Sequence, residues 1–159
     1  LAGVLGLPFS FAHHFAGGGT DAAVAAYRAH FEPSATLEEP YVMLGVNVLC
    51  APTLDEARYL AGPGRLAMAR LRSGHPDVYP TPEEAAAHVY TPAEERAALS
   101  WGRNHVLGPP DDVRQGLLDL AGRTGADELM VTTVTHGAEE RLRSYRLVAE
   151  AMELAPAAP

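Results

Sequence analysis

Tyr41-Val-Met-Leu-Gly-Val-Asn-Val-Leu-Cys50 is a ten-residue stretch of almost unbroken apolar character, rich in Val. Such a run reads as a strand covered on both faces, as strands of a parallel sheet are. Gly45 and Asn47 interrupt it, and it falls far short of the ~20 residues that a membrane helix needs, so no span and no anchor are expected.

Upstream, Leu7-Pro-Phe-Ser-Phe-Ala12 is a second, shorter apolar run that ends at His13-His14. Gly17-Gly-Gly19 and the N-cap signal Thr20-Asp21 follow, then Val24, Tyr27 and Phe31 at helical spacing up to Pro33. Downstream, Thr53-x-x-Glu56 is a capping box for a helix with Ala57, Leu60 and Ala61 inward, which Gly62-Pro-Gly64 is expected to break before Leu66–Leu71 resume it. Two further boxes, Thr81-Pro-Glu-Glu84 and Thr91-Pro-Ala-Glu94, predict a short helix and a longer one running towards Val106. Gly108-Pro-Pro-Asp-Asp112 opens a helix with Val113, Leu117, Leu118 and Ala121 inward, ending at Thr124-Gly125. Asp127–Thr135 is β-branched and apolar, a third strand, and Ala138–Leu154 is the closing helix. Each strand is followed by a helix, which implies right-handed crossovers and an α/β fold of about three parallel strands. The domain is read as residues 1–155, with a helical insertion over 62–106 and a tail at 156–159.

With 159 residues, 47% of them hydrophobic and 20% charged, the chain suits one globular domain. Its 12 basic groups are all Arg and face 20 acidic ones, a net charge of −8 with no arginine stripe to track phosphates, which argues against nucleic acid. A single Cys50 and the lack of a secretory h-region make a reducing cytoplasm the expected compartment.

Leu5-Gly-Leu-Pro-Phe-Ser-Phe-Ala-His-His-Phe15, Glu39-Pro-Tyr-Val-Met-Leu-Gly-Val-Asn-Val48, Val106-Leu-Gly-Pro-Pro-Asp-Asp-Val113 and Thr124-Gly-Ala-Asp-Glu-Leu-Met-Val-Thr-Thr133 resemble, in that order, the bacterial luciferase-like, flavin-dependent monooxygenases. The resemblance implies a partial (β/α)8 TIM barrel, of which this chain looks like the C-terminal part. It also implies an oxidoreductase that uses reduced FMN and O2 on a small organic substrate. In that family a phosphate-binding segment precedes the part that matches Leu1, so FMN is expected without its phosphate cradle, and a missing N-terminal half is one expected partner. The rival reading is a non-catalytic truncated relative that acts as an oligomeric structural or ligand-binding protein.

Ligands of parallel α/β proteins sit at the C-terminal ends of the strands. That rule selects His13, His14, Asn47 and Thr133 as flavin contacts, His13 and His14 being adjacent so that only one looks inward along a strand. Arg70, Arg72 and His136 are expected at the substrate side or its lid. No carboxylate has ligand spacing to the histidines, so no metal is expected. Cys50 reads as an inert buried thiol, Gly17-Gly-Gly19 as a flexible connection and Trp101 as a packing anchor. Three strands leave two unpaired edges, and the expected remedy is a homodimer or higher oligomer.

Overall fold

The computed structural model describes residues 1–15 and 18–154, with the backbone alone at Ser100 and Trp101. Gly17 of the glycine run, the 156–159 tail and the side chain of Trp101 therefore lie outside the described residues.

The apolar run of the opening forms the central strand β2, Val42–Cys50, and every residue from Val48 to Ala51 is buried. Strand β1 is Phe9–Phe11, β3 is His105–Gly108 and β4 is Glu128–Thr132. All three pair with β2 in parallel. Met43 is opposite both Ser10 and Glu128, and Asn47 is opposite both His105 and Thr132. Because a strand has only two edges, β4 takes one of them while β1 and β3 share the other end to end.

Six helices connect the strands: α1 Thr20–Ala29, α2 Leu54–Arg72, α3 Pro82–Ala87, α4 Pro92–Gly102, α5 Pro110–Thr124 and α6 Ala138–Ala151. The main core lies between the sheet and α1, α5 and α6. Val42, Leu44, Val46, Val48 and Cys50 meet Val24, Tyr27, Val113, Leu117, Leu120 and Val148 there. At roughly 1.5–3 kcal/mol for each fully buried aliphatic side chain, this layer is the main stabilising element. Helices α3 and α4 both pack on α2, and α2 roofs the end of β2 through Leu49, Ala51, Ala57 and Leu60.

Five expectations are corrected. The sheet has a fourth strand, because the chain after α4 turns at Gly102 and lays His105–Gly108 on the free edge of β2 beyond β1, instead of continuing as helix to Val106. Helix α2 runs unbroken through Gly62-Pro63-Gly64. Gly62 serves close packing there, since a Cβ on it would come within 3.2 Å of Ala85 on α3, and Pro63 is itself buried. Helix α1 is preceded by Gly19 as N-cap, with Thr20 already helical and its hydroxyl turned to His13. On α5, Leu120 and Thr124 take the inner positions and Leu118 is exposed, as a 113-117-120-124 stripe requires. The strands flanking β2 are shorter than read, because their outer residues find no neighbour to pair with. Both Thr-Pro capping boxes are present, with Thr81 and Glu84, and Thr91 and Glu94, exchanging hydrogen bonds as expected. Gly125 ends α5 with φ +63°, the left-handed conformation that favours glycine.

Candidate functional site

Alternation along β2 divides its side chains between two faces. The even-numbered ones fill the core, and Met43, Gly45 and Asn47 turn to the opposite face, which among the described residues no α-helix covers until Leu49 meets α2. The parallel register carries the neighbours along. Ser10, Met43 and Glu128 share one rung of this open face, Gly45 and Met130 the next, and Asn47, His105 and Thr132 the third.

His14 seats on the middle rung. Residues His13–Phe15 form a 3-10 turn directly after β1, and this turn sends the two histidines apart. The His14 ring donates from Nδ1 to the Gly45 carbonyl at 2.8 Å. A Cβ on Gly45 would lie 2.8 Å from that ring, so the seat exists only for glycine. His13 turns inward, is 7% exposed, and its Nδ1 lies 2.8 Å from the Thr20 hydroxyl. Burial, and then the Arg123 guanidinium, hold its pKa below the ordinary value, against the opposing pull of Asp21.

On the third rung, Asn47 donates from Nδ2 to His105 Nε2 at 3.3 Å, and the Thr132 hydroxyl donates to the Val46 carbonyl at 3.3 Å. The His105 pKa is pushed down to about 4, first by burial and then by the neighbouring His14 and His13. It is therefore a neutral imidazole near pH 7, with an Nε2 that accepts. Asn104 fixes the adjoining turn by donating to the His13 carbonyl at 2.9 Å. The result is a patch of hydrogen-bonding groups that spans the C-terminal ends of β1 and β4, the middle of β2 and the start of β3. Such groups can orient a planar conjugated ligand.

Of the residues selected from sequence, His14 and Asn47 come together on this face, whereas His13 backs the turn from behind. Thr133 is buried, and its hydroxyl donates to the Val48 carbonyl at 2.8 Å while its N–H donates to the Tyr145 hydroxyl at 3.0 Å. The face position belongs to its neighbour Thr132. His136 donates from Nδ1 to the Pro80 carbonyl at 3.0 Å. Arg70 faces Asp77 at 3.6 Å, and Arg72 donates to the Ala97 carbonyl at 3.1 Å, so both tie the insertion to itself. Cys50 is buried and its thiol is pushed up to about 11 by that burial. Sequence reading missed His105. The short β-prone His-Val-Leu-Gly between Gly102 and Pro109 was the signal that could have found it. Among the described residues no three His, Cys, Asp or Glu side chains gather as metal ligands, and no helix is long and apolar enough to cross a membrane.

Beside His105, helices α2, α3 and α4 line an open cavity of about 740 Å³ that reaches Leu107 of β3. Arg70 and Arg72 lie outside its lining.

No protein-family model matches the chain. It is 34% identical over 153 residues to a luciferase-like monooxygenase of Escherichia coli strain K12, covering 96% of this chain and 46% of that protein. The solved structure of apo-MsnO8 superposes with a TM-score of 0.86 at 37% identity, over 98% of this chain and 47% of that one. The chain belongs to the luciferase-like monooxygenase family. It spans about half the length of the relatives it matches, among them the uncharacterized protein YvbT of Bacillus subtilis, at 36% identity over 94% of this chain and 45% of that protein. A riboflavin lyase, RcaE, solved with a modified FMN and its substrate riboflavin, shares the luciferase-like TIM-barrel fold at a TM-score of 0.52 and 16% identity, over 98% of this chain and 41% of that one.

Proposed function

We propose that this chain forms part of a flavin-dependent monooxygenase, in which the open sheet face borders the flavin ring and a small organic substrate. The observation that carries the reading is the polar cluster of His14 over Gly45 beside Asn47, His105 and Thr132, next to the C-terminal ends of β1 and β4, the kind of strand end at which luciferase-like barrels place ligands. The ring system fits this surface. Met130 supplies an apolar contact, and Asn47 and His14, whose ring fills the space above Gly45, offer hydrogen bonds. Reduced FMN, when bound, supplies the electrons that activate O2. The chain's own residues orient the ring: His14, held by the Gly45 carbonyl, presents its ring edge to the face, and Asn47 is aligned by His105. The FMN phosphate is assigned to other segments, in keeping with the family's architecture.

Cytoplasmic residence accompanies this reading, with Cys50 reduced and buried. So does an assembly, because β4 pairs only with β2 among the described residues and leaves its outer edge open. Either an N-terminal half of the barrel or a second copy would cover edge and face. That same edge favours the second reading, a non-catalytic oligomeric relative.

Flavin titration tests the first. The chain alone is expected to bind FMN weakly, since a phosphate without backbone or guanidinium partners gains little over water. Supplying the other half of the E. coli relative should tighten binding by about tenfold or more, and His14→Ala should remove most of that gain. Absence of flavin binding in both settings would leave the oligomeric reading standing.

A further inference from the structure

The open cavity lined by α2, α3 and α4 has a charge that the open sheet face does not share. Arg58, Arg65 and Arg103 line it, and among its described lining residues there is no Asp or Glu, although the chain as a whole carries −8. These guanidiniums are unequally committed. Arg58 faces Asp55 only loosely, at 3.8 Å and with both side chains in solvent. Arg65 donates from Nη2 to Glu95 at 2.9 Å and sits 4.6 Å from the centre of the Tyr90 ring, while its Nε–H is buried without an acceptor among the described residues. Arg103 forms no ion pair among the described residues.

The remaining walls are carbon and aromatic: Tyr59 and Tyr90 flank the arginines, and Leu99 and Leu107 form part of the floor. His105 stands at the inner end, where it also borders the narrow space beside Asn47. About 740 Å³ is the size of an ordinary small-molecule site. Apolar walls take up an organic body, tyrosine rings stack on a planar one, and guanidinium forks pair with a carboxylate or sulfonate in two-point fashion.

We propose that this cavity is a binding site for an amphipathic organic anion, its carbon body lying between α2 and α4 and its carboxylate or sulfonate meeting Arg58, Arg65 and Arg103. As the substrate pocket of the oxygenation it rests on the flavin reading, because His105 is what connects it to the open face. As a binding site it does not.

The test therefore omits flavin. The chain is titrated with 8-anilinonaphthalene-1-sulfonate and with N-phenyl-1-naphthylamine, which has the same aromatic body and no sulfonate. The sulfonate should bind saturably, about tenfold tighter than the neutral dye, and weaken with salt. Arg58→Gln with Arg103→Gln should remove about tenfold of sulfonate affinity and leave the neutral dye unchanged. Ala86→Trp, on the exposed side of α3 at the cavity wall, should block both dyes, and Met130→Glu on the open sheet face should affect neither. Equal affinity for the two dyes, retention of sulfonate binding in the double variant, or its loss in Met130→Glu would each overturn the proposal. Thermal unfolding checks each variant, and if the double variant is unfolded, Arg103→Gln alone should still cost about threefold. A chain that passes these tests and never binds flavin keeps the pocket and loses the oxygenation. One that binds flavin and fails them loses only the pocket.

Discussion

Val46 and Asn47 are neighbours on one strand and face two environments. Val46 points into a layer of α1, α5 and α6 side chains and is 0% exposed, whereas Asn47 stands half-buried on a face that no α-helix covers among the described residues. On the helix-backed face the strand presents Val42, Leu44, Val46, Val48 and Cys50, all of them buried, and their role is packing. The open face carries Gly45, Met43 and Met130 beside the polar Ser10, Asn47, His105 and Thr132 and the charged Glu128, a composition that packs poorly. Close packing is thus concentrated on one side of the strand, and the proposed ligand contacts lie on the other.

The sharpest way to break this contrast is to exchange polarity across it. Val46→Asn should lose about 3–5 kcal/mol in urea unfolding, from lost apolar burial and an amide without partners, while Asn47→Val should stay within about 1 kcal/mol. Similar costs at both positions would mean that the open face is not open in solution.

Acid titration comes next. The folded pKa of His105 lies near 4, below its ordinary 6.5, and that of His13 is also lowered. The unfolded chain therefore binds more protons between these values. Their contribution is complete above pH 6.5 and is lost as the pH falls through the folded pKa, on the order of 2 kcal/mol for His105. His105→Gln should flatten the stability profile between pH 6.5 and about 4, and an unchanged slope would refute the burial of this imidazole.

Gly45→Ala should cost about 1–2 kcal/mol, because the new methyl strikes the His14 ring, and less than half of that in a His14→Ala background. Additive losses would show that the ring does not occupy its seat. The smallest effect is on the periphery, where Asp21→Asn removes the exposed pair with Arg123 and should change stability by less than about 1 kcal/mol, fading in high salt.

How much of this was legible in the letters depended on the range of the interactions involved. The Tyr41–Cys50 run and the Thr81 and Thr91 boxes are local signals, decided by residues within three or four positions, and they read correctly. The Gly62-Pro63-Gly64 run does not carry its local meaning, a break, because the helix through it packs on a partner 23 positions from Gly62, Ala85, whose close approach Gly62 permits. β3 was hidden for the same reason, since four residues beside a helix become a strand only when β2 offers an unclaimed edge. At the site, strand-end reasoning led to His14 and Asn47, but the choice between Thr132 and Thr133 depended on where β4 stops pairing. Finding His105 required knowing that β3 exists.

The segment that leaves β2 after Cys50 comes back to the same strand, with His105 opposite Asn47, Gly108 opposite Cys50, and Ala51 donating to the Gly108 carbonyl at 3.1 Å. Departure and return are therefore adjacent, and everything between them is a cassette clipped at its base. The entropy of closing such a loop changes only slowly with its length, so the three helices can be shortened, lengthened or exchanged while the sheet keeps its register. Grafting a different cassette onto the same strand is a route by which the specificity of this scaffold can be rewritten without refolding it.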